Sequence, residues 1–369
     1  MAVVGVALLV LERTDSAALA GASVAAFTFP GLVSGPVLGA LLDRSARPLR
    51  LISLDQAVAG TAASALAFAP EGTPDVVLPL LCLTAGVTAP LSYGGVTSLL
   101  PEVVPERLLP ATNTLEAASF NIAIVAGPAL AGTLAAGFGA TPAVAAQGVV
   151  KFVALVFFVT MPDLVRPATR GALRVVAAVV SGFRHVIGTP ALMAVTVAGA
   201  ISLGGRGVLT LAFPFFATGR LNADESLTGY MWAAFAAGSA VGALALLRIQ
   251  RRRSAEHVAL VGIAVAGTLM LAWPLATSVA ASLSLIALAG IAYGPALAAT
   301  LAVRQERTPK GLRAQISTAA ASLKPAFFGL GTLLSAPAVA GLGASGAMLV
   351  AGGVQLLAAL VGAALLRER

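Results

Sequence analysis

The sequence predicts an all-α membrane protein, and three observations support this: the composition, the form of the apolar blocks and the placement of the positive charges. The chain has 369 residues, of which 58% are hydrophobic and 10% are charged. A soluble domain carries roughly a quarter charged residues, so there is too little polar surface here to cover a water-soluble globule. The apolar blocks are continuous, which favours helices over a closed β-barrel, the other fold that spans lipid.

Twelve apolar segments predict twelve membrane helices, of which the first is incomplete. The opening segment, Ala2 to Leu11, is about 15 Å long as a helix, and a bilayer core of about 30 Å needs about 20 residues. It lacks the charged flank and cleavage site of a signal peptide, so we expect the first helix to be truncated in this sequence. Eleven longer blocks follow: 18–42, 51–69, 75–100, 111–137, 142–161, 190–217, 226–247, 257–277, 279–303, 315–341 and 344–366.

Positive charges lie mainly on one side of the predicted helices. Of the 23 lysines and arginines, 18 fall in alternate connections or at the C-terminus, whereas the opposite connections hold only Arg13 and Arg220. Lysine and arginine remain on the cytoplasmic side of a membrane, so both ends of the chain are expected in the cytoplasm, with the helices in the plasma membrane. The basic residues lack the interleaved aromatic residues of a nucleic-acid surface, so the net charge of +8 does not indicate nucleic-acid binding.

The longest connection, 162–189, divides the predicted helices into two bundles, 1–161 and 190–369. Five apolar side chains of this connection share one helical face, which predicts an amphipathic helix lying on the cytoplasmic membrane surface. These five residues are Val176, Val179, Val180, Phe183 and Ile187.

The two predicted bundles look like repeats of each other. An offset of 204 residues places Gly86 on Gly290 and Gly127 on Gly331. Glycine is common in this chain, so a single match means little, but the same offset holds across several helices. Parallel repeats are a recurrent plan of membrane transporters, in which the substrate is held near the membrane midplane.

The connection between the second and third predicted helices carries a charged motif. It reads Gly39-Ala-Leu-Leu-Asp43-Arg44-Ser-Ala46-Arg47. This resembles a signature of the major facilitator superfamily of transporters, with alanine in place of the family's second glycine. Gly39 allows two helices to approach closely, and Asp43 is expected to cap the helix that begins near Gln315. The resemblance implies a cytoplasmic gate in which Arg44 and Arg47 bridge that carboxylate or lipid phosphates. A plain positively charged loop is the alternative.

A second resemblance lies in the fourth and fifth predicted helices. The segments are Pro101-Glu-Val-Val-Pro105-Glu-Arg107 and Gly127-Pro128-Ala-Leu-Ala-Gly132. They are similar to the drug- and siderophore-exporting, macrolide-efflux-like branch of the superfamily. Pro128 removes a backbone donor, so Gly127, Pro128 and Gly132 are expected to kink and pack the fifth helix. The branch implies export of a small, fairly apolar organic compound in exchange for protons. An importer of a small metabolite and a transport-inactive receptor or scaffold are the alternatives.

Three charged residues inside predicted helices are candidates for substrate binding or proton coupling. Arg206 lies in the seventh helix, one of the four that line the central cavity in the resembled family. Glu116 and Lys324 lie in the fifth and eleventh helices, which correspond in the two bundles. Charges inside lipid are costly and mark functional sites, so we expect Arg206 to contact the substrate and Glu116 to carry the proton. Structural ion pairs are the alternative, for Glu116 with Arg107 or Arg313.

Three uncharged side chains complete the predicted site. Tyr93 and Tyr293 lie near glycine and proline residues in the fourth and tenth helices, and Asn121 lies in the fifth, where it can bond substrate or a neighbouring helix. Two further charges are given no role in transport. Lys151 is expected to snorkel or pair locally, and Asp55 is expected at the membrane interface.

Other classes of protein are disfavoured. The two histidines, His185 and His257, lie near helix ends without nucleophile–base spacing, and the chain has no phosphate-binding loop. Cys82 is the single cysteine, so no disulfide forms within the chain. We therefore predict a monomer without enzyme activity, cofactor or metal, whose partners are a small molecule, protons and lipid. No lysine or arginine lies between Arg50 and Arg107, where the family often has a coupling arginine, so proton coupling rests on the resemblance.

Overall fold

The computed structural model describes residues 2–70, 72–165, 175–224, 227–245 and 253–367, and within these ranges the chain is helical, without β-strands. A π-helical segment, Leu91–Gly95, lies between the helix that ends at Pro90 and the helix that begins at Val96. The α-helices are α1 (Ala2–Thr14), α2 (Ala17–Thr28), α3 (Pro30–Arg44), α4 (Pro48–Ala67), α5 (Val77–Pro90), α6 (Val96–Val103), α7 (Leu109–Phe138), α8 (Ala140–Thr160), α9 (Val175–Gly188), α10 (Pro190–Gly219), α11 (Leu227–Ala245), α12 (Ala255–Met270), α13 (Val279–Arg307) and α14 (Arg313–Arg367).

Several of these helices have the length and composition of membrane spans. Eight helical segments of the described chain are long and apolar enough to cross a bilayer. The last of them, Lys310–Arg367, has 58 residues and contains two of the predicted spans. A glycine separates the two, because Gly343 has φ +68°, a left-handed conformation that side chains with a Cβ disfavour. The structure is therefore that of an all-α integral membrane protein.

Two boundaries bear on the sequence predictions. The predicted helix 279–303 continues to Arg307, so Arg304 is a helical residue and not a loop residue. The amphipathic segment is confirmed as a helix, α9, with Val180, Phe183 and Ile187 exposed together. Its position on a membrane surface stays a prediction, and the preceding residues 166–174, including Arg170 and Arg174, lie outside the described ranges.

Contacts divide the chain into two compact units. The first comprises Met1–Leu99, Ala126–Phe183 and Thr308–Ser322. Its largest apolar core joins α1, α4, α5 and α8 through fully or nearly fully buried side chains. They include Val6, Leu9, Val10, Leu66 and Val144. Small residues bring α4 and α8 together, since Gly148 lies against the Ser64 side chain and Gly60 lies against Phe152.

The second unit comprises Leu100–Val125, Arg184–Arg307 and Leu323–Arg369. Its core is rich in aromatic residues from α10 to α13. Trp273 is fully buried, with its ring centroid 5.7 Å from that of Phe213 and 6.5 Å from that of Phe235. Glycines again allow close helix packing, since Gly207 of α10 lies against the backbone of Phe328 in α14. The division into bundles 1–161 and 190–369 stays a prediction.

Candidate functional site

The charged motif after α3 caps a helix in the first unit. The two carboxylate oxygens of Asp43 accept hydrogen bonds from the backbone N–H groups of Ala314 and Gln315, each at 2.9 Å. These are first-turn groups of α14, which begins at Arg313. The first N–H groups of a helix have no partner within it and carry a partial positive charge, so a carboxylate satisfies both at once. The predicted cap by Asp43 is confirmed, and its role as a gate stays a prediction.

Glycine at position 39 allows this cap to form. A Cβ atom built on Gly39 would collide with the backbone of Gln315 and with the Thr318 hydroxyl. The Thr318 hydroxyl donates to the Gly35 carbonyl at 2.6 Å, which ties α3 to α14 one turn away from the cap. Gly94 of the π-helical segment lies equally close to the backbone of Ser317. Three glycines thus hold the first turns of α14 against α3 and the π-helical segment.

The arginines of the motif make a contact that the sequence did not predict. Arg47 and Arg50 both approach Asp163, with nitrogen–oxygen distances of 3.4 and 3.6 Å. Asp163 follows α8, and all three side chains are substantially exposed. Arg47 therefore pairs with a carboxylate outside the motif. Arg44 buries one guanidinium nitrogen that has no hydrogen-bond partner in the described part of the chain.

The predicted amphipathic helix lies on the capped turn of α14. The Gln315 side-chain amide donates to the carbonyl of Val179 at 3.0 Å. Gly182 lies directly against the same amide, and a Cβ atom there would collide with it. Gln315 is therefore bound twice: its backbone N–H donates to Asp43 of α3, and its side-chain amide donates to Val179 of α9.

A buried ion pair in the first unit was not predicted. Asp55 of α4 is fully buried, and its carboxylate lies 3.7 Å from the Lys151 ammonium of α8. Ser92 of the π-helical segment links the two, since its hydroxyl donates to Asp55 and accepts from Lys151 at 2.9 Å. The Gln56 amide bonds both Asp55 at 3.1 Å and Ser92 at 2.7 Å. Three helical segments enclose Asp55, and its expected place at the membrane interface stays a prediction, whereas the pairing expected as one alternative for Lys151 is confirmed.

Arg206 of α10 lies in an aromatic environment in the second unit. Its guanidinium donates to the Tyr293 hydroxyl at 2.8 Å and lies over the rings of Tyr293 and Phe235, at 4.4 and 5.7 Å from their centroids. Such cation–π contacts stabilise a cation where water is excluded. The side chain is 9% exposed, and its Nε has no hydrogen-bond partner among the described residues. The structure thus brings two predicted site residues, Arg206 and Tyr293, together.

A second group of charges lies on the same face of α13. Arg304 is three helical turns from Tyr293, is 5% exposed and interacts electrostatically with it and with Glu116 of α7. The helices are joined one turn before Glu116, where the side-chain amides of Asn113 and Gln305 exchange two hydrogen bonds of 2.9 Å. This pairing sets α7 against α13, within the range at which Glu116 interacts electrostatically with Arg304.

Lys324 completes this group. It lies on α14, is partly buried, and interacts electrostatically with Arg304, Arg206 and Glu116. Its Cε is 3.9 Å from the position that a Cβ of Gly199 in α10 would occupy. Four charged side chains from four helices therefore form one electrostatic group, which we call the unit 2 charge cluster: Arg206, Arg304, Lys324 and Glu116. Arg304 is the member that the sequence does not predict, because the apolar block 279–303 ends just before it.

The remaining predicted residues are placed as follows. Tyr93 lies in the π-helical segment with 42% of its surface exposed and interacts electrostatically with Asp55. The side chains of Asn121 and Pro128 lie outside the described residues, although α7 runs through both positions. Near Gly132 no described atom lies within 4 Å of a built Cβ, so the expected tight packing there is not seen in the described part of the chain.

Long apolar helices that bury charged side chains define a helical membrane protein, and comparison with known proteins specifies its class and family. A family model described as Major Facilitator Superfamily matches residues 1–325. The chain belongs to this superfamily, and it is a transporter and not an enzyme.

Two relatives and one solved structure illustrate the similarity. The chain is 29% identical over 346 residues to an uncharacterized MFS-type transporter, y4rN, of Sinorhizobium fredii, covering 91% of this chain and 83% of the relative. It is 27% identical over 345 residues to the multidrug efflux pump Tap of Mycolicibacterium fortuitum, covering 89% and 82%. The crystal structure of the E. coli fucose:proton symporter superposes with a TM-score of 0.73 at 12% identity, covering 98% of this chain and 96% of the symporter. At that identity the likeness concerns the fold.

Proposed function

We propose that this protein is a secondary active transporter that exports a small, fairly apolar organic compound by alternating access, in exchange for protons. The unit 2 charge cluster carries the proposal, because charged side chains buried within membrane-spanning helices line substrate and ion pathways. The direction is supported by the identity of 27% to a multidrug efflux pump and by the resemblance of the Gly127 to Gly132 segment to exporters.

The proposed arrangement in the membrane has twelve helices in two bundles, 1–161 and 190–369, joined by the surface segment 162–189. The charge distribution supports a plasma-membrane monomer with both ends in the cytoplasm, because 18 of 23 basic residues lie on that predicted side. The Asp43 cap, and the contact of the capped residue Gln315 with α9, are consistent with a gate at the cytoplasmic side. Gly39, Asp43, Arg44 and Arg47 are its proposed residues.

Glu116 is the proposed proton carrier. It is the one carboxylate among the groups that interact with Lys324, where the other two are guanidiniums. Protonation of Glu116 removes one negative charge from this cluster, so it changes the electrostatic balance around Arg304 and Lys324 by a full unit. A carboxylate whose charge is exchanged between two conformations couples proton movement to substrate movement.

Uptake into everted membrane vesicles tests this function. We expect wild-type vesicles with an acidic interior to accumulate members of a panel of neutral, cationic and anionic fluorescent dyes, and a protonophore to abolish the accumulation. Arg206→Ala is expected to lower or alter uptake, and Glu116→Gln to abolish the response to the pH gradient. Arg220→Ala and Glu106→Gln are the controls, since both residues are exposed outside the long helices.

Three outcomes decide between the alternatives. Accumulation in right-side-out vesicles alone identifies an importer. Failure of every dye to move in either orientation, with intact protein in the membrane, supports a transport-inactive receptor. Proton-driven uptake that survives Glu116→Gln removes Glu116 from the coupling mechanism while leaving the transport function in place.

A further inference from the structure

The unit 2 charge cluster contains more positive than negative charge. Lys324 interacts with two guanidiniums and one carboxylate, those of Arg206, Arg304 and Glu116. The cluster therefore holds three cationic side chains and one anionic side chain. Even with an uncharged Lys324, two guanidiniums stand against a single carboxylate, because arginine remains protonated in proteins.

The two arginines are also short of hydrogen-bond acceptors. Arg304 is 5% exposed, and its Nε and Nη2 atoms have no hydrogen-bond partner in the described part of the chain. The Nε of Arg206 likewise has no hydrogen-bond acceptor among the described residues. A buried guanidinium without acceptors is costly, and a ligand with acidic oxygens supplies both the acceptors and the missing negative charge.

The surroundings of these donors suit a ligand that is only partly polar. The Arg206 guanidinium lies against the rings of Phe235 and Tyr293, and the face of α13 between Tyr293 and Arg304 is lined by Ala296 and Thr300, both buried. The Thr300 hydroxyl donates to the Ala296 carbonyl at 2.8 Å, so its donor is satisfied within α13. Guanidinium groups bind carboxylates and phosphates through paired hydrogen bonds.

We propose that the unit 2 charge cluster binds the acidic group of the substrate, so the transported compound is an amphiphilic organic anion, with a carboxylate, sulfonate or phosphate on an apolar body. Arg304 and Arg206 hold the acidic group, and Glu116 opposes its binding when ionised. Protonation of Glu116 then favours the anion, so for this substrate class the exchanged proton needs a carrier other than Glu116. This inference therefore rests on the export proposed above, but not on the coupling role of Glu116, and it narrows the substrate class.

Two dyes with the same ring skeleton and opposite charge test the inference. Fluorescein is an anionic xanthene and rhodamine 6G a cationic one. Their binding to the purified full-length protein in lipid nanodiscs is measured by fluorescence anisotropy. We expect fluorescein to bind more tightly than rhodamine 6G, and Arg304→Gln to weaken fluorescein binding by about tenfold or more, the size of a lost charged hydrogen bond. Arg307→Gln is the control, because Arg307 lies on the same helix but pairs with Glu256 at the surface, 3.4 Å away.

Two further variants separate binding from folding. Arg304→Lys keeps the positive charge and is expected to retain most of the affinity for fluorescein. Glu116→Gln removes the opposing carboxylate and is expected to tighten fluorescein binding several-fold, a gain that damage to the fold cannot produce. Each variant is first checked for a single symmetric peak in size-exclusion chromatography.

The outcomes distinguish this inference from the transport proposal. Preference for rhodamine 6G, or fluorescein binding that is unchanged in both Arg304→Gln and Arg206→Gln, overturns the anionic substrate class. If vesicles still accumulate neutral or cationic dyes in that case, export itself stands. Arginine-dependent fluorescein binding without transport in either vesicle orientation contradicts export and leaves an anion-binding receptor.

Discussion

At the residue scale, Asp43 caps a helix, and the effect of that cap on stability can be separated from the proposed gate role. It accepts from two backbone N–H groups at the start of α14, a geometry that exists only while α3 and that turn are in contact. Loss of an N-terminal cap typically costs about 1 kcal/mol. We expect Asp43→Ala to lower the unfolding temperature slightly and to reduce transport strongly, and Asp43→Asn, with one acceptor oxygen, to fall between.

A second helix cap in the chain separates the effect of Asp43→Ala on stability from its effect on transport. Ser16 caps α2 by accepting from the Leu19 N–H at 3.2 Å, and no gate residue takes part. Ser16→Ala is expected to lower stability by a similar small amount with normal transport in vesicles. Equal transport by Asp43→Ala and Ser16→Ala would show that the Asp43 cap is structural only.

The buried pair of Asp55 and Lys151 makes a different prediction, about charge balance. Removing one partner of a buried ion pair leaves an uncompensated charge and costs about 3–5 kcal/mol. Lys151 is 23% exposed, so we expect Lys151→Met to destabilise the protein by the lower value, about 3 kcal/mol. The double variant Asp55→Asn, Lys151→Met has no net charge there and is expected to recover most of that loss.

Thermal unfolding in detergent measures this difference directly. If the double variant is no more stable than Lys151→Met alone, the ion pair is not what holds these helices together. If Lys151→Met is as stable as the wild type, the lysine head group is solvated and the pair is not formed.

The contacts that the sequence does not predict join residues that are distant along the chain but close in space. The Asp43 cap could be predicted because its motif is contiguous and its partner helix was expected near Gln315. The pairing of Asp55 with Lys151 joins residues from α4 and α8, 96 positions apart by their numbers, and no spacing rule links them. Asp163 was missed for the same reason, since its partners Arg47 and Arg50 lie in a distant connection.

At the element scale, glycine decides which helices can meet. A Cβ on Gly39 would collide with the first turn of α14, and overpacking of a close contact costs about 1–3 kcal/mol. We expect Gly39→Ala to lower the unfolding temperature and to reduce transport. Gly353→Ala, also in α14, is the control, because no described atom lies within 4 Å of the built Cβ and alanine favours a helix by up to about 1 kcal/mol.

The measurement is again thermal unfolding, paired with vesicle transport. Normal stability and transport in Gly39→Ala would mean that α3 and α14 can separate without loss, which contradicts the close contact. Destabilisation by Gly353→Ala would indicate packing on that face of α14.

Helices were predictable from hydrophobic length, and their ends were less so. The block that ends at Val303 stops where arginine begins, so composition placed Arg304 outside the helix. In the structure the backbone hydrogen bonding of α13 continues to Arg307, and Arg304 turns onto the face that carries Tyr293. Hydropathy reports which residues prefer lipid, whereas a buried arginine depends on partners that only the fold supplies, here Glu116 and Tyr293.

At the scale of the whole molecule, the distribution of basic residues predicts which loops share a side of the membrane. Ser254 directly precedes α12, and Ser278 lies just before α13, so the two flank one predicted span; both are exposed. The charge rule places Ser254 in the cytoplasm, because it follows Arg251, Arg252 and Arg253, and places Ser278 outside.

Cysteine labelling in intact cells tests this orientation, and the chain suits it because Cys82 is its single cysteine and is buried. In a Cys82→Ala background, we expect Ser278→Cys to react with a membrane-impermeant maleimide in intact cells, and Ser254→Cys to react only after permeabilisation. The background variant alone is the control and should stay unlabelled. The reverse pattern would invert the topology, and labelling of both cysteines in intact cells would show that residues 255–275 do not cross the membrane.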